Sequence, residues 1–240
     1  MQFQKISIIG AGLLGGSIGL AVKKRRLARE VAGYVHRAAS LKECEKAGAV
    51  DFATTDLLAA VSNADLVILC TPLAQMLPIA KQFLPALKRG AIVTDVGSVK
   101  AGVVRELEPL IAKAGGHFIG SHPMAGAEKT GVAAAREDLF ENAACVLTPT
   151  KNSSVIAIRK LEKFWKSLGG WTLWFGAAKH DLIVSRSSHL PHVVAAALAE
   201  LGKFQSALKS DDAKAIEKIF TTAKQRRDNW CAKAASISSE

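Results

Sequence analysis

A strand-like run that ends in a glycine loop constrains this chain more than any other feature. Ile8-Ile9-Gly10-Ala11-Gly12-Leu13-Leu14-Gly15 places a GxGxxG pattern directly after the apolar stretch Lys5–Gly10 and directly before a helical pattern, Gly15–Arg26. In a first βα unit each glycine has its own task. Gly10 permits the tight turn, Gly12 lets the backbone approach a pyrophosphate, and Gly15 lets helix and strand pack closely. Leu13 and Leu14 lie between Gly12 and Gly15, just before the helix, whose N-terminus faces the phosphates. Gly10, Gly12, Leu13, Leu14 and Gly15 are therefore the expected core of a dinucleotide site. The same pattern read alone is a glycine-rich structural turn.

The texture downstream agrees with that start. Candidate strands lie at Lys5–Gly10, Glu30–Val35, Asp65–Cys70, Ala91–Val96, His117–Gly120, Ala144–Leu147 and Trp171–Phe175. Several are unbroken Val/Ile-rich runs, as strands buried on both faces of a sheet are. Helical patterns fall between them at Leu73–Leu87, Val99–Ala114 and Val155–Leu168. The alternation predicts an α/β fold, a Rossmann-like doubly wound and largely parallel sheet. From Ala177 strand signals stop. His180–Leu201 reads as one helix, kinked or broken at Pro191, and Ala213–Ala235 reads as another, with Ser210, Asp211 and Asp212 in an N-cap setting. The expected domains are residues 1–176, binding a dinucleotide, and residues 177–240, a small all-helical part. Val193–Leu198 is too apolar to stay uncovered, so this part is expected to pack on the first domain or on a second subunit, and a homodimer is the expected assembly.

Composition narrows the function. With 49% hydrophobic and 22% charged residues the chain can fill a core and is not a disordered segment. No run reaches the ~18–20 apolar residues that span a membrane, and the first residues lack a signal-peptide layout. Cys44, Cys70, Cys145 and Cys231 are widely spaced without a CxxC pair. That argues against a zinc site or a disulfide framework and fits a reducing cytoplasm. The formal charge of +11 allows nucleic acid, an anionic surface or small polyanionic ligands as partners. Aromatics make up only 6%, so base-stacking platforms are not indicated, and no nucleic-acid or membrane partner is expected.

The polar ends of the strands carry the remaining candidates. NAD sites usually have Asp or Glu at the end of the second strand, to accept from the ribose 2′-hydroxyl. Here Val35 is followed by His36 and Arg37, with no acid. The Arg37 guanidinium suits a 2′-phosphate, so NADP is favoured over NAD. The bland alternative is a surface arginine beside an NAD site that lacks its acid. Thr71-Pro72, Asp95–Lys100 and Gly120–Gly126 follow three other strands. His122, on a Gly/Pro-bounded loop, is the first candidate for a general base, with a capping or core role as its alternative. Ser98 either serves the site or caps the helix that follows it. His189 and His192, three apart, share a helix face, but no carboxylate completes a metal site, and none is expected.

These residues also carry a resemblance. GAGLLGGSIGLA, DVGSVK, GSHPMAGAEKTGVAAAREDLFENAACVLTPT, the His180-Asp181 pair and SHLPH together resemble the prephenate/arogenate dehydrogenase family of tyrosine biosynthesis, in matching order over roughly residues 5–200. The resemblance implies oxidative decarboxylation. A cyclohexadienol ring loses hydride from the carbon bearing its hydroxyl, and CO2 leaves as the ring becomes aromatic. It implies His122 as base for that hydroxyl, and Ser98 as the residue orienting hydroxyl and histidine. It also implies His189 in the substrate pocket, and Thr71-Pro72 beside the nicotinamide ribose. The family's GGGFRDTTRIA-like segment, whose arginine grips the substrate's side-chain carboxylate, has no counterpart here. Arg186, Arg226 or Arg227 could supply that cation. A compact, monofunctional form without a mutase or regulatory extension is the expectation. A reductase of another small acid or imine, and a catalytically weak NADP-binding protein, are the alternative functions.

Overall fold

In the computed structural model, residues 2–209 together with Lys214, Lys218 and Thr221 are described. The chain divides into two compact units, Met1–Leu182 and Ile183–Glu240. The first unit is built on β1 (Phe3–Ile9), α1 (Leu13–Lys24), β2 (Ala28–Tyr34), α2 (Ala39–Lys46), β3 (Phe52–Thr54), α3 (Leu57–Val61), β4 (Leu66–Leu69), α4 (Leu73–Phe83), β5 (Ile92–Asp95), α5 (Ala101–Lys113) and β6 (His117–Phe118). Six strands form one parallel sheet in the order β3-β2-β1-β4-β5-β6. The order reverses between β1 and β4, which opens a crevice at their carboxyl ends.

Period-two alternation explains how this sheet is covered. Ile6 and Ile8 of β1, with Leu66 and Ile68 of β4, face the cluster that contains Ile18 and Val22 of α1. Ile9, Val67 and Leu69 face the opposite cluster, with Phe83 of α4 and Leu107 and Ile111 of α5. Both faces are covered, so these strands are apolar throughout. Each such side chain contributes about 1.5–3 kcal/mol when fully buried.

Two of the expected strands do not join this sheet. The chain leaves β6 through Ile119, whose N–H still bonds the Val93 carbonyl at 3.0 Å, and continues as β7 (Gly120–Pro123) in a second sheet. There β7 pairs antiparallel with β8 (Ala144–Thr148), and β8 pairs parallel with β9 (Trp171–Trp174). The Ala144–Leu147 and Trp171–Phe175 runs thus build a separate three-stranded sheet, with α6 (Val155–Ser167) between them in sequence. Short β-branched runs carry no mark of the sheet they join. The three-residue β3 was not legible in the sequence.

The helix expected at His180–Leu201, kinked or broken at Pro191, is observed as α7 (Ala177–Val184), a π-helical turn at Ser185–His189 and α8 (Leu190–Lys209), with the local break falling just before Pro191. Pro191 has no N–H to give to the carbonyl four residues back, and the Ser187 hydroxyl bonds the Ile183 carbonyl at 3.0 Å. Both loosen regular α-helical bonding at this point. The expected helix Ala213–Ala235, its Ser210-Asp211-Asp212 cap, Cys231, Arg226 and Arg227 lie outside the described residues. Among the described residues no helix is long and apolar enough to cross a membrane.

Candidate active site

The glycine loop has the geometry its sequence requires. Gly10 adopts φ +99°, and a Cβ there would meet the Cys70 carbonyl oxygen at 2.9 Å. A Cβ on Gly15 would lie 2.2 Å from the Gly10 carbonyl oxygen, so strand and helix touch through backbone. A Cβ on Gly12 would meet nothing within 4 Å. Gly12 is the N-cap of α1 and offers no side chain to the helix. The first N–H groups of α1, those of Leu13 and Leu14 among them, lack intrahelical partners and face an anion's natural position. The Leu13 and Leu14 side chains pack against the core.

Two hollows flank this loop. One, of about 560 Å3, is lined by Gly10, Gly12, Tyr34, His36, Thr71 and Pro72, with residues of α4 closing its far side. The other, of about 280 Å3, is lined by Gly10, Gly12, Val35, His36, Arg37 and Ser40. His36 and Arg37 are exposed, and Arg37 makes no ion pair among the described residues. The Thr71 hydroxyl is buried without a hydrogen-bond partner among the described residues. A buried orphan hydroxyl normally calls for a partner, and at the mouth of a dinucleotide cleft a cofactor hydroxyl or amide fits it. The residues present therefore fit a nicotinamide dinucleotide. The Cys70 thiol beside them is pushed up by burial and then by the Asp95 charge.

A polar cluster sits where β5 meets β7. Asp95 and Lys100 are both fully buried and form an ion pair. The Asp95 carboxylate also accepts from the Gly97 N–H at 2.8 Å and the Ser121 N–H at 3.3 Å. Lys100 Nζ donates to the Ser121 carbonyl at 2.9 Å. The Ser121 hydroxyl donates to the Asp95 carbonyl at 2.6 Å, and Thr94 Oγ1 donates to the Ile119 carbonyl at 2.7 Å. These bonds fix the start of β7 against the carboxyl end of β5 and so position the next residue, His122.

His122 is buried at 8% exposure. Its Nδ1 lies 2.9 Å from Nε2 of His180, and His180 Nδ1 lies 2.7 Å from Asp181 Oδ1. Asp181 caps α5, accepting the backbone N–H groups of Lys100 and Ala101 at 2.8 Å each. Ser98 is therefore not the cap. It is exposed in the β5–α5 loop, and the helix starts at Ala101 rather than Val99. Sequence reasoning missed Asp95, Lys100 and the role of His180-Asp181. The one local signal was the place of Asp95–Lys100, a polar run at the carboxyl end of a strand.

The structure thus gathers Gly10, Gly12, His36, Thr71 and Pro72 around the larger hollow, sets Arg37 on the smaller one, and places His122 on the strand tied to β5. Arg186 and His189 belong to the second unit, on its π-helical turn, with Arg186 exposed and His189 half-buried.

Residues 18–173 match the profile of the prephenate dehydrogenase nucleotide-binding domain. The chain is 35% identical over 194 residues to a prephenate dehydrogenase of Bacillus subtilis, covering 80% of this chain and 52% of that protein. It is 36% identical over 194 residues to a cyclohexadienyl dehydrogenase of Zymomonas mobilis, covering 80% and 65%. The chain therefore spans about half to two thirds of the length of these relatives. Among solved structures, prephenate dehydrogenase from Aquifex aeolicus in complex with hydroxyphenyl propionate and NAD+ superposes with a TM-score of 0.77 at 28% identity, covering 97% of this chain and 88% of that one. A profile match over 18–173, most of the chain, together with relatives about 35% identical over 80% of it, shows that the chain belongs to the prephenate dehydrogenase family.

Proposed function

We propose that this chain acts in the oxidative decarboxylation of prephenate, arogenate or both, with hydride passing to a nicotinamide cofactor and NADP preferred. The observation that carries the reading is a built dinucleotide crevice together with a buried imidazole, His122, on a strand tied to the carboxyl end of β5. Gly10, Gly12, Leu13, Leu14 and Gly15 would receive the pyrophosphate, and Thr71-Pro72 would stand beside the nicotinamide ribose. Arg37 follows a β2 end without an acid and is exposed on a hollow that also carries Glu43; its guanidinium supports a 2′-phosphate partner. When bound, the cofactor supplies a hydride acceptor.

His122 takes the hydroxyl proton as hydride leaves the same carbon. Carbon dioxide departs from the opposite ring carbon, and its bonding electrons complete the aromatic ring. The proton then returns from His122 to the phenolic oxygen, so no net proton is released. Aromatisation drives the reaction, and the protein supplies positioning and a proton acceptor. Ser98 orients the hydroxyl, while His189 and Arg186 serve the substrate from the helical part. Residues 1–176 form the cofactor domain, and 177–240 the substrate and dimerisation part of a cytoplasmic homodimer. Part of the +11 charge draws in a phosphate-rich cofactor and a carboxylate substrate.

The test is a two-by-two assay of prephenate and arogenate against NAD+ and NADP+, read as reduced cofactor. Turnover is expected, faster with NADP+. His122→Asn is expected to lose at least ~100-fold in kcat with cofactor affinity unchanged. A folded protein inactive in all four combinations would refute the reading.

A further inference from the structure

The contact between His122 and His180 determines which nitrogen of His122 can act. The rings meet edge to face, with centroids 5.1 Å apart and planes at 73°. Two N–H groups cannot point at each other, so the 2.9 Å contact between Nδ1 of His122 and Nε2 of His180 holds one proton. The other end of His180 decides where that proton sits. Its Nδ1 faces Asp181 Oδ1 at 2.7 Å, and a carboxylate only accepts. That carboxylate is already oriented by two backbone N–H groups at the start of α5 and cannot turn away. His180 therefore donates through Nδ1. As a neutral ring it keeps a lone pair on Nε2, and His122 must donate to it through Nδ1. A neutral His122 so arranged carries no proton on Nε2.

We infer that His180 and Asp181 form a relay that sets the tautomer of His122 and makes Nε2 its proton-accepting atom. This rests on the reading of His122 as the base, and adds which atom accepts and what holds it ready. On proton transfer the substrate O–H bond breaks and an Nε2–H bond forms. His122 becomes doubly protonated, and its Nδ1–H goes on donating to His180. The new positive charge then lies two hydrogen bonds from the Asp181 carboxylate, which favours it. The proton goes back by the same route, so the relay needs no further acceptor. His180 is 1% exposed and touches no reacting atom in this scheme; it is a positioning residue.

The test labels the ring nitrogens of histidine in the full chain and reads tautomers by NMR, with the His122 signal assigned by its loss in His122→Asn. Wild type is expected to show neutral His122 with a protonated Nδ1 and a bare Nε2. His180→Phe keeps a flat ring but no acceptor. It is expected to give a mixture of both His122 tautomers and to lower kcat by about 10-fold or more, with KM changed less than about threefold. His180→Gln, whose Oε1 can accept from Nδ1–H, is expected to restore the tautomer and part of kcat, an outcome that loss of packing would not produce. If His180→Phe fails to fold, the wild-type and His180→Gln spectra carry the test. A wild-type His122 protonated on Nε2, or a tautomer and kcat indifferent to both substitutions, would overturn the relay. The spectra report on the relay even if no substrate turns over, so its failure is separable from that of the proposed reaction.

Discussion

Lys100→Met should be among the most damaging single changes in the first unit. The ammonium is fully buried and meets a fully buried carboxylate, Asp95, and the Ser121 carbonyl. Methionine fills most of the volume, so the loss is electrostatic rather than a cavity. Removing one partner of a buried pair leaves the other charge uncompensated, which costs about 3–5 kcal/mol. Two remaining donors, the Gly97 and Ser121 N–H groups, keep Asp95 partly satisfied and hold the loss at the lower part of that range. The Ser121 carbonyl also loses a donor, at about 1–3 kcal/mol if no water replaces it. We expect a net loss of about 4–6 kcal/mol, a large fraction of the about 5–15 kcal/mol that holds a typical domain together. Urea unfolding, followed by fluorescence and far-UV circular dichroism, measures it. Asp95→Asn combined with Lys100→Met removes both charges and should recover about 1–2 kcal/mol of the single-variant loss. A Lys100→Met loss below about 1 kcal/mol, or a double variant no better than additive, would refute the claim that this pair is desolvated and mutually dependent.

Other consequences follow from the same geometry. Gly12→Ala places its methyl in open space at φ −82°, so the fold should be unchanged or up to about 1 kcal/mol more stable while dinucleotide affinity falls about 10-fold or more; calorimetry and titration separate the two effects. Gly15→Ala drives a methyl to 2.2 Å from the Gly10 carbonyl oxygen and should lower Tm markedly even without cofactor. Cys70 lines the cleft, but its thiol is pushed up by burial and by Asp95, so alkylation at pH 8 should run at least about 100-fold slower than for an unfolded control, read by mass spectrometry. Burial pushes the Asp65 carboxyl up, but the Lys88 hydrogen bond, the Gln4 N–H and the Lys88 charge outweigh it and hold it below its ordinary value of 3.8. Its stabilising contribution is therefore present above that pH and lost as pH falls through the depressed folded value. The Tm gap between wild type and Asp65→Asn should shrink on acidification below about pH 4.

Local pattern determined a great deal of this protein. A glycine loop acts through backbone conformation and missing side chains, which are properties of the residues themselves, so Gly10, Gly12 and Gly15 were legible before any coordinates. The parallel sheet was legible because strands covered on both faces must be apolar throughout, as Leu66–Leu69 is. His36, Arg37, Thr71 and Pro72 followed from their positions at strand ends, where such a sheet opens its crevice.

What tertiary structure alone decided lies in contacts between distant segments. His122 and His180 are 58 positions apart, and Asp181 caps a helix that starts 80 positions earlier. The sequence around Ala101 points to Ser98 as the cap, and only the arrival of α7 gives that role to Asp181. The Ala144–Leu147 and Trp171–Phe175 runs have the propensity of sheet strands, but the turn at Ile119 carries their partner β7 into a second sheet, and pairing rather than propensity chose it. In the sequence Asp95 and Lys100 are only part of a polar run at the end of a strand. Burial makes them a mutually dependent pair, because a charge removed from water needs a partner that no local pattern supplies.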